Sequence, residues 1–238
     1  MQVQAEETLT VSGLRHNIEA FKKTEDFRFA PATIKRSEAY LGAAMLAADQ
    51  HNDDGIQDAL IRASETLEEA RHTARSFQQQ YQELIILRKD ATAVINAHSA
   101  ATHSEKEPSY QHLIDSGESE LNAAVQNMEA GQLNQSQQHA NKAQGFYTQA
   151  LEKTIRWLSE EAAAAVAKAA SGSAKQYAPV TYQTAKTKAG ELRNFVAGRT
   201  TVMPQNPVEA LYLAHAAQTM TLQVKQWRKK QAAMKVLH

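Results

Sequence analysis

GIQDALIRASETLEEARHTARSFQQQYQELIILRKDATAVINAH, residues 55–98, runs without a proline and with only its opening glycine. Leu60, Leu67, Ala70, Ala74, Tyr81, Leu84 and Ile95 recur at the spacing of one helix face. No further breaker falls before Pro108, so the pattern predicts one helix approaching fifty residues. That is roughly 70 Å at about 1.5 Å per residue. The alternative is a kink or break inside a long helix, with Lys89-Asp90 and Gly145 as its places, which would give a more compact bundle. Sheet formers are scarce, and the chain as a whole reads as all-α.

Working outward, prolines punctuate the rest. Pro31, Pro108 and Pro179 lie 77 and 71 residues apart, each ahead of a segment with helical apolar spacing. Ile34, Leu41, Met45 and Ala48 follow the first and stop at Asn52-Asp53-Asp54-Gly55. Leu113, Leu121, Ala124, Val125 and Met128 follow the second as far as Ala130-Gly131. Tyr182, Ala185, Ala189, Leu192 and Val196 follow the third as far as Gly198. A longer second helix comes after each, the third starting at Asn206-Pro207-Val208-Glu209, a capping residue with proline at the first position. Three tandem helical hairpins are expected, about six or seven helices in an elongated bundle or rod. The expected segments are 29–104, 105–173 and 174–238, after an N-terminal stretch 1–28 that is helical from about Leu14.

Counting from the opening prolines, Tyr81, Trp157 and Trp227 fall at positions 50, 49 and 48. Seven residues earlier stand Ala74, Ala150 and Met220, and seven earlier again Leu67, Ala143 and Leu213. One heptad-spaced seam used three times is expected, with the aromatics as core anchors.

Composition narrows the function classes. Apolar residues make up 42 % of the chain but aromatics only 6 %, which favours close helix packing through small side chains. Lys+Arg and Asp+Glu both total 26, so no global field selects nucleic acid or any other polyanion. The absence of cysteine removes disulfides and thiolate chemistry. The most apolar run, 162–170, includes Lys168 and is far shorter than the roughly 18 residues of a membrane span. The opening Met-Gln-Val-Gln-Ala-Glu-Glu lacks the pattern of a signal peptide, and a mature domain behind an added Met would read identically.

Phe29-Ala30-Pro31, a helix with small residues, an acidic or glycine turn and a second helix with Ala59, Ala63, Ala70 and Ala74 together resemble a known family. It is an alpha-helical envelope domain family of unknown function, often N-terminal to OmpA-like peptidoglycan-binding domains in Gram-negative bacteria. Tyr177-Ala178-Pro179 with Ala185, Ala189, Ala210, Ala214 and Ala217 is a second match. Glu107-Pro108 with Ala140, Ala143 and Ala150 is a third, lacking the Ala-Pro pair. The resemblance covers most of residues 29 to 235 and implies a periplasmic location and a structural or spacer role. The partner it implies is another protein or a cell-wall component. No OmpA-like domain is present in these residues, so no peptidoglycan-binding residue carries over.

Candidates for chemistry are few. Glu69 and His72 have the Glu-x-x-His spacing of helical dimetal sites, but no second copy exists, which favours surface residues. His98 and His103 are five apart and fit a zinc pair poorly beside the four-residue helical spacing. Glu65, Glu68, Glu69, Asp115, Glu118 and Glu120 read as the wet faces of amphipathic helices. Lys225, Arg228, Lys229, Lys230 and Lys235 around Trp227 suit phosphate, a membrane surface or an acidic partner, and equally suit the negative end of a helix dipole. No nucleophile elbow, phosphate loop, dinucleotide turn or EF-hand is present. The expectation is therefore a non-enzyme with no catalytic residue, no metal and no cofactor: a structural, scaffold or spacer protein of the bacterial cell envelope. The alternatives are a cytoplasmic helical-repeat adaptor and a ligand- or metal-binding helical bundle.

Overall fold

Thr10 is extended, and its hydroxyl accepts a hydrogen bond from the Gly13 amide at 3.0 Å. That cap starts α1 (Val11–Lys22) ahead of the expected Leu14. The computed structural model describes residues 9–101 and 110–236. A 3-10 turn, Glu25–Phe29, leads into α2 (Pro31–Asp49), α3 (Asp53–Gln80), α4 (Gln82–Ala101), α5 (Gln111–Glu129), α6 (Leu133–Ser171), α7 (Ala174–Tyr177), α8 (Pro179–Val196) and α9 (Glu209–Val236). Among the described residues the chain is all-α and has no strand. Pro108 and the expected boundary at 104/105 lie outside the described residues.

The chain divides into two compact units, one within residues 1–86 and 117–144, the other within 87–116 and 145–238. In the first, α2 packs along α3, and α1 and the 3-10 turn lie against both. Ile34, Leu41 and Ala44 on α2 and Ala63, Leu67 and Ala70 on α3 are buried. The Ser37 hydroxyl donates to the Ala63 carbonyl at 2.7 Å, tying a side chain of α2 to the backbone of α3. Phe29 stacks on Phe77 with ring centroids 5.1 Å apart, and Phe77 meets Tyr81 at 4.6 Å. Later in the chain, His139 on α6 meets the Glu120 carboxylate on α5 at 2.6 Å.

In the second unit α8 packs on α9, with α7 against both. Val94, Ile155, Leu158, Leu192 and Val208 form one core cluster. Ala165, Ala185, Leu211 and Ala214 form another, and Ala169, Ala174, Ala178, Tyr182 and Ala217 a third. Alanines dominate the latter two, so these helices meet through side chains that lose no rotamer freedom on burial.

The expected fifty-residue helix does not exist. It breaks at Tyr81 (φ −118°, ψ 31°), and not at Lys89-Asp90, which lies inside α4. The break lets the Tyr81 ring bury beside Phe77 and brings its hydroxyl to 3.2 Å from the Ser136 hydroxyl on α6. Gly145, the other expected place for a break, lies within the uninterrupted 39 residues of α6.

Three helices share one way of ending. After α2 the Asn52 amide donates to the Ala47 carbonyl at 3.0 Å and the His51 amide to Ala48 at 3.0 Å. After α5 the pairs are Gln132 to Asn127 at 2.8 Å and Gly131 to Met128 at 3.0 Å. After α8 they are Arg199 to Asn194 at 2.9 Å and Gly198 to Phe195 at 2.9 Å. Each is a Schellman motif, whose pivot must take a positive φ. The pivots are His51 (55°), Gly131 (72°) and Gly198 (68°), so only the first carries a side chain there. The helix starts also repeat: Ala30 (φ −149°, ψ 44°) and Ala178 (φ −143°, ψ 55°) adopt the same conformation before Pro31 and Pro179.

The aligned seam is displaced in α9. Leu67, Ala74, Tyr81, Ala143 and Ala150 are buried as expected. Leu213 and Trp157 are half-buried, while Met220 and Trp227 are 45 % and 58 % exposed. Ala210, Ala214, Ala217 and Thr221 are buried in their place, so the contact row of α9 runs one residue later than the count from Pro179 suggested. Trp227 is therefore corrected from core anchor to surface residue.

Two stability measurements follow. His51→Gly removes a side chain from the left-handed region and should raise stability by about 1 kcal/mol, whereas Gly198→Ala should lower it by a similar amount. Urea midpoints at constant slope check both. Leu67→Asp, Ala143→Asp and Ala214→Asp should each cost on the order of 3 kcal/mol by burying an unpaired charge, and Leu213→Asp distinctly less. Equal losses at 213 and 214 would contradict the displaced seam.

Candidate functional site

The residues with the strongest sequence case for chemistry do not converge. Glu69 on α3 turns to Arg36 on α2, with its carboxylate 2.8 Å from the guanidinium, and His72 is exposed. His98 is buried in the second unit, edge-on to the Trp157 indole at 4.4 Å between ring centroids. His103 lies outside the described residues. Among the described residues no three His, Asp or Glu side chains come together as a metal-ligand set.

The carboxylates of the acidic helix faces are divided among separate ties. Glu118 pairs with Arg28, Glu120 with His139, and Glu68 with Arg71 one helical turn away. Asp115 accepts from Gln111 at 3.0 Å, and Glu65 is exposed. A two-carboxylate acid–base site needs both groups to flank one reacting bond, and these face different partners.

A cleft of about 780 Å³ opens in the second unit between the end of α8, the loop 197–208 and the start of α9. Lys188 spans its wall, 3.1 Å from Glu191 and 3.7 Å from Glu209. The hydrogen bond that Lys188 donates to Glu191, followed by the charge of that carboxylate, holds the ammonium above the ordinary lysine range. A lysine serving as base or nucleophile requires the opposite shift, so Lys188 stays a cation that ties α8 to α9. Lys22 behaves alike, raised first by its hydrogen bond to Glu38 and then by Glu19. A second cleft, of about 320 Å³, lies at the Tyr81 break and is lined mainly by amides, among them Gln80, Gln82, Gln137, Asn141 and Gln144.

One multiply bonded carboxylate has no local signal in the sequence. Glu129, at the end of α5, accepts from the Ala32 amide at 3.2 Å, the Thr33 amide at 2.8 Å and the Thr33 hydroxyl at 2.9 Å. Ala30 supplies no side-chain cap to α2, and Glu129 serves in its place, putting a negative charge on the positive end of the helix. A cap contributed from 96 residues away leaves no local signature. The pairing of Arg228 with Tyr177, the guanidinium 4.9 Å from the ring centroid, was equally hidden.

Comparison of the chain with protein-family models, with curated proteins and with solved structures finds no match to any of them.

Removing the charge of the remote cap is diagnostic. Glu129→Gln keeps one acceptor and loses the charge–dipole attraction, and should cost about 1 kcal/mol; Glu129→Ala should cost roughly 1.5–3 kcal/mol. Chemical denaturation measures both, and indifference to the alanine substitution would remove Glu129 from the ties that hold α2.

Proposed function

We propose that this chain is a non-enzymatic scaffold that works through its helical surfaces. The observation that carries the reading is the Glu129 cap: a carboxylate that accepts three hydrogen bonds fastens one helix to another. Lys188, Ser37 and the Glu120–His139 pair are used the same way. Such ties hold faces in fixed relation within a unit, which is what a presenting surface needs. Large apolar side chains lie on the outside of the first unit, with Leu46 60 % and Ile61 45 % exposed on α2 and α3. Apolar side chains of that size are the natural anchors of a protein contact.

The resemblance of the Ala-Pro hairpins to the envelope family extends the proposal to a structural or spacer role in the bacterial cell envelope, with another protein or a cell-wall component as partner. Recurrence of the Ala-Pro conformation at Ala30 and Ala178, and of the Schellman ends, supports deriving the chain from tandem hairpin copies. Among the described residues no helix is long and apolar enough to cross a membrane.

The test has two arms. A photo-crosslinking residue placed at Leu46 or Ile61 of the full-length gene product in living cells should give one discrete adduct, and absence of any adduct from both positions would dismiss the scaffold reading. Cell fractionation should recover the same product from the periplasm. Recovery from the cytoplasm with the adduct retained would favour the adaptor alternative.

A further inference from the structure

The zero net charge of the chain conceals a segregation. Residues 162–190 contain Lys168, Lys175, Lys186 and Lys188 and no carboxylate; residues 210–238 contain four lysines and Arg228 and again no carboxylate. The remainder of the chain holds seventeen cations against all 26 carboxylates.

The described residues of these two acid-free segments share one end of the second unit. Ala169, Ala174, Ala178, Tyr182 and Ala217 bury one another there. Gln218 Nε2 donates to the Ala165 carbonyl at 3.1 Å, and Lys225 Nζ to the Gly172 carbonyl at 2.7 Å. Arg228 covers the Tyr177 ring. Lys188, at the margin of this end, is the cation that Glu191 and Glu209 neutralise. Lys168, Lys175, Lys186, Lys229 and Lys230 are exposed. The helix dipole accounts for cations in the last turn of a helix but not for Lys186 in the middle of α8, nor for the exclusion of carboxylates from both segments.

We propose that this acid-free end docks on the surface of a bilayer rich in anionic phospholipid. Charge complementarity calls for a polyanion, and exposed apolar side chains in the same two segments select which. Val180 is 78 %, Leu222 59 % and Trp227 58 % exposed. From Gln226 to Ala232 every residue of α9 is exposed. Lysines beside a tryptophan and aliphatic side chains match the headgroup region of a membrane, where the indole sits at the interface and the lysines meet lipid phosphate. Nucleic acid would use the same cations and the indole, but offers nothing to Val180 and Leu222. The docking is peripheral, by surface charge and shallow insertion, and is independent of the scaffold reading, which rests on the first unit and on the ties between helices.

The full chain should cosediment with vesicles made of equal parts phosphatidylcholine and phosphatidylglycerol, and not with vesicles of phosphatidylcholine alone. Molar salt, which cuts the screening length to about 3 Å, should release it. Lys229→Gln and Lys230→Gln should each weaken vesicle binding about fivefold, with helical circular dichroism unchanged. Trp227→Ser should abolish the blue shift of tryptophan emission on binding. Equal binding to both vesicle types, no binding to either, or indifference to salt would overturn the proposal. Tighter binding to a single-stranded DNA oligonucleotide than to anionic vesicles would reassign the surface to nucleic acid and overturn it as well.

Discussion

Alanine at zero exposure sets the distance between helices in both units. Ala44, Ala63, Ala70 and Ala74 in the first, and Ala162, Ala169, Ala185 and Ala214 in the second, are completely covered. A methyl group surrenders no rotamer freedom on burial and lets neighbouring backbones approach closely. Each contact removes little apolar area from water, so stability accumulates over many turns and not at a few bulky anchors. Closeness has a second effect. Backbone carbonyls of one helix come within reach of side chains on another, as Ser37 reaches Ala63 and Gln218 reaches Ala165. Packing and polar ties are thus two aspects of one geometry.

That geometry was legible from the chain wherever the signal was local. Proline at helix starts, glycine after helix ends and apolar spacing identified α2, α8 and the turn before α3, because each depends on residues a few positions apart. What depends on distant residues was invisible. No rule of spacing places a helix break at Tyr81; burial of its ring beside Phe77 and the meeting with Ser136, 55 residues away, decide it. Counting from prolines put Trp227 in the core because the loop between α8 and α9 differs in length from the other turns, which rotates the α9 contact row. The left-handed pivot at His51 was hidden for the opposite reason: the residue type there does not advertise its conformation.

The Glu-x-x-His pair is divided on the same principle. Sequence spacing puts Glu69 and His72 on neighbouring positions of α3, but Arg36, distant in the chain, claims the carboxylate. Lys22 and Lys188 are held in their charged forms by the glutamates they bond. Groups so fixed stabilise; they do not exchange protons near neutral pH. On the scaffold reading proposed above, recognition is left to the outer faces.

Connectivity adds a practical corollary. The chain passes from one unit to the other after residue 86, again inside α5 and once more inside α6. Neither half corresponds to a contiguous stretch of gene. Any single truncation that deletes one of them strands a piece of it on the other, with alanine faces stripped of their cover. Fragments cut for expression or binding work would carry sticky, half-dressed helices, and deletion analysis would report aggregation where it sought function.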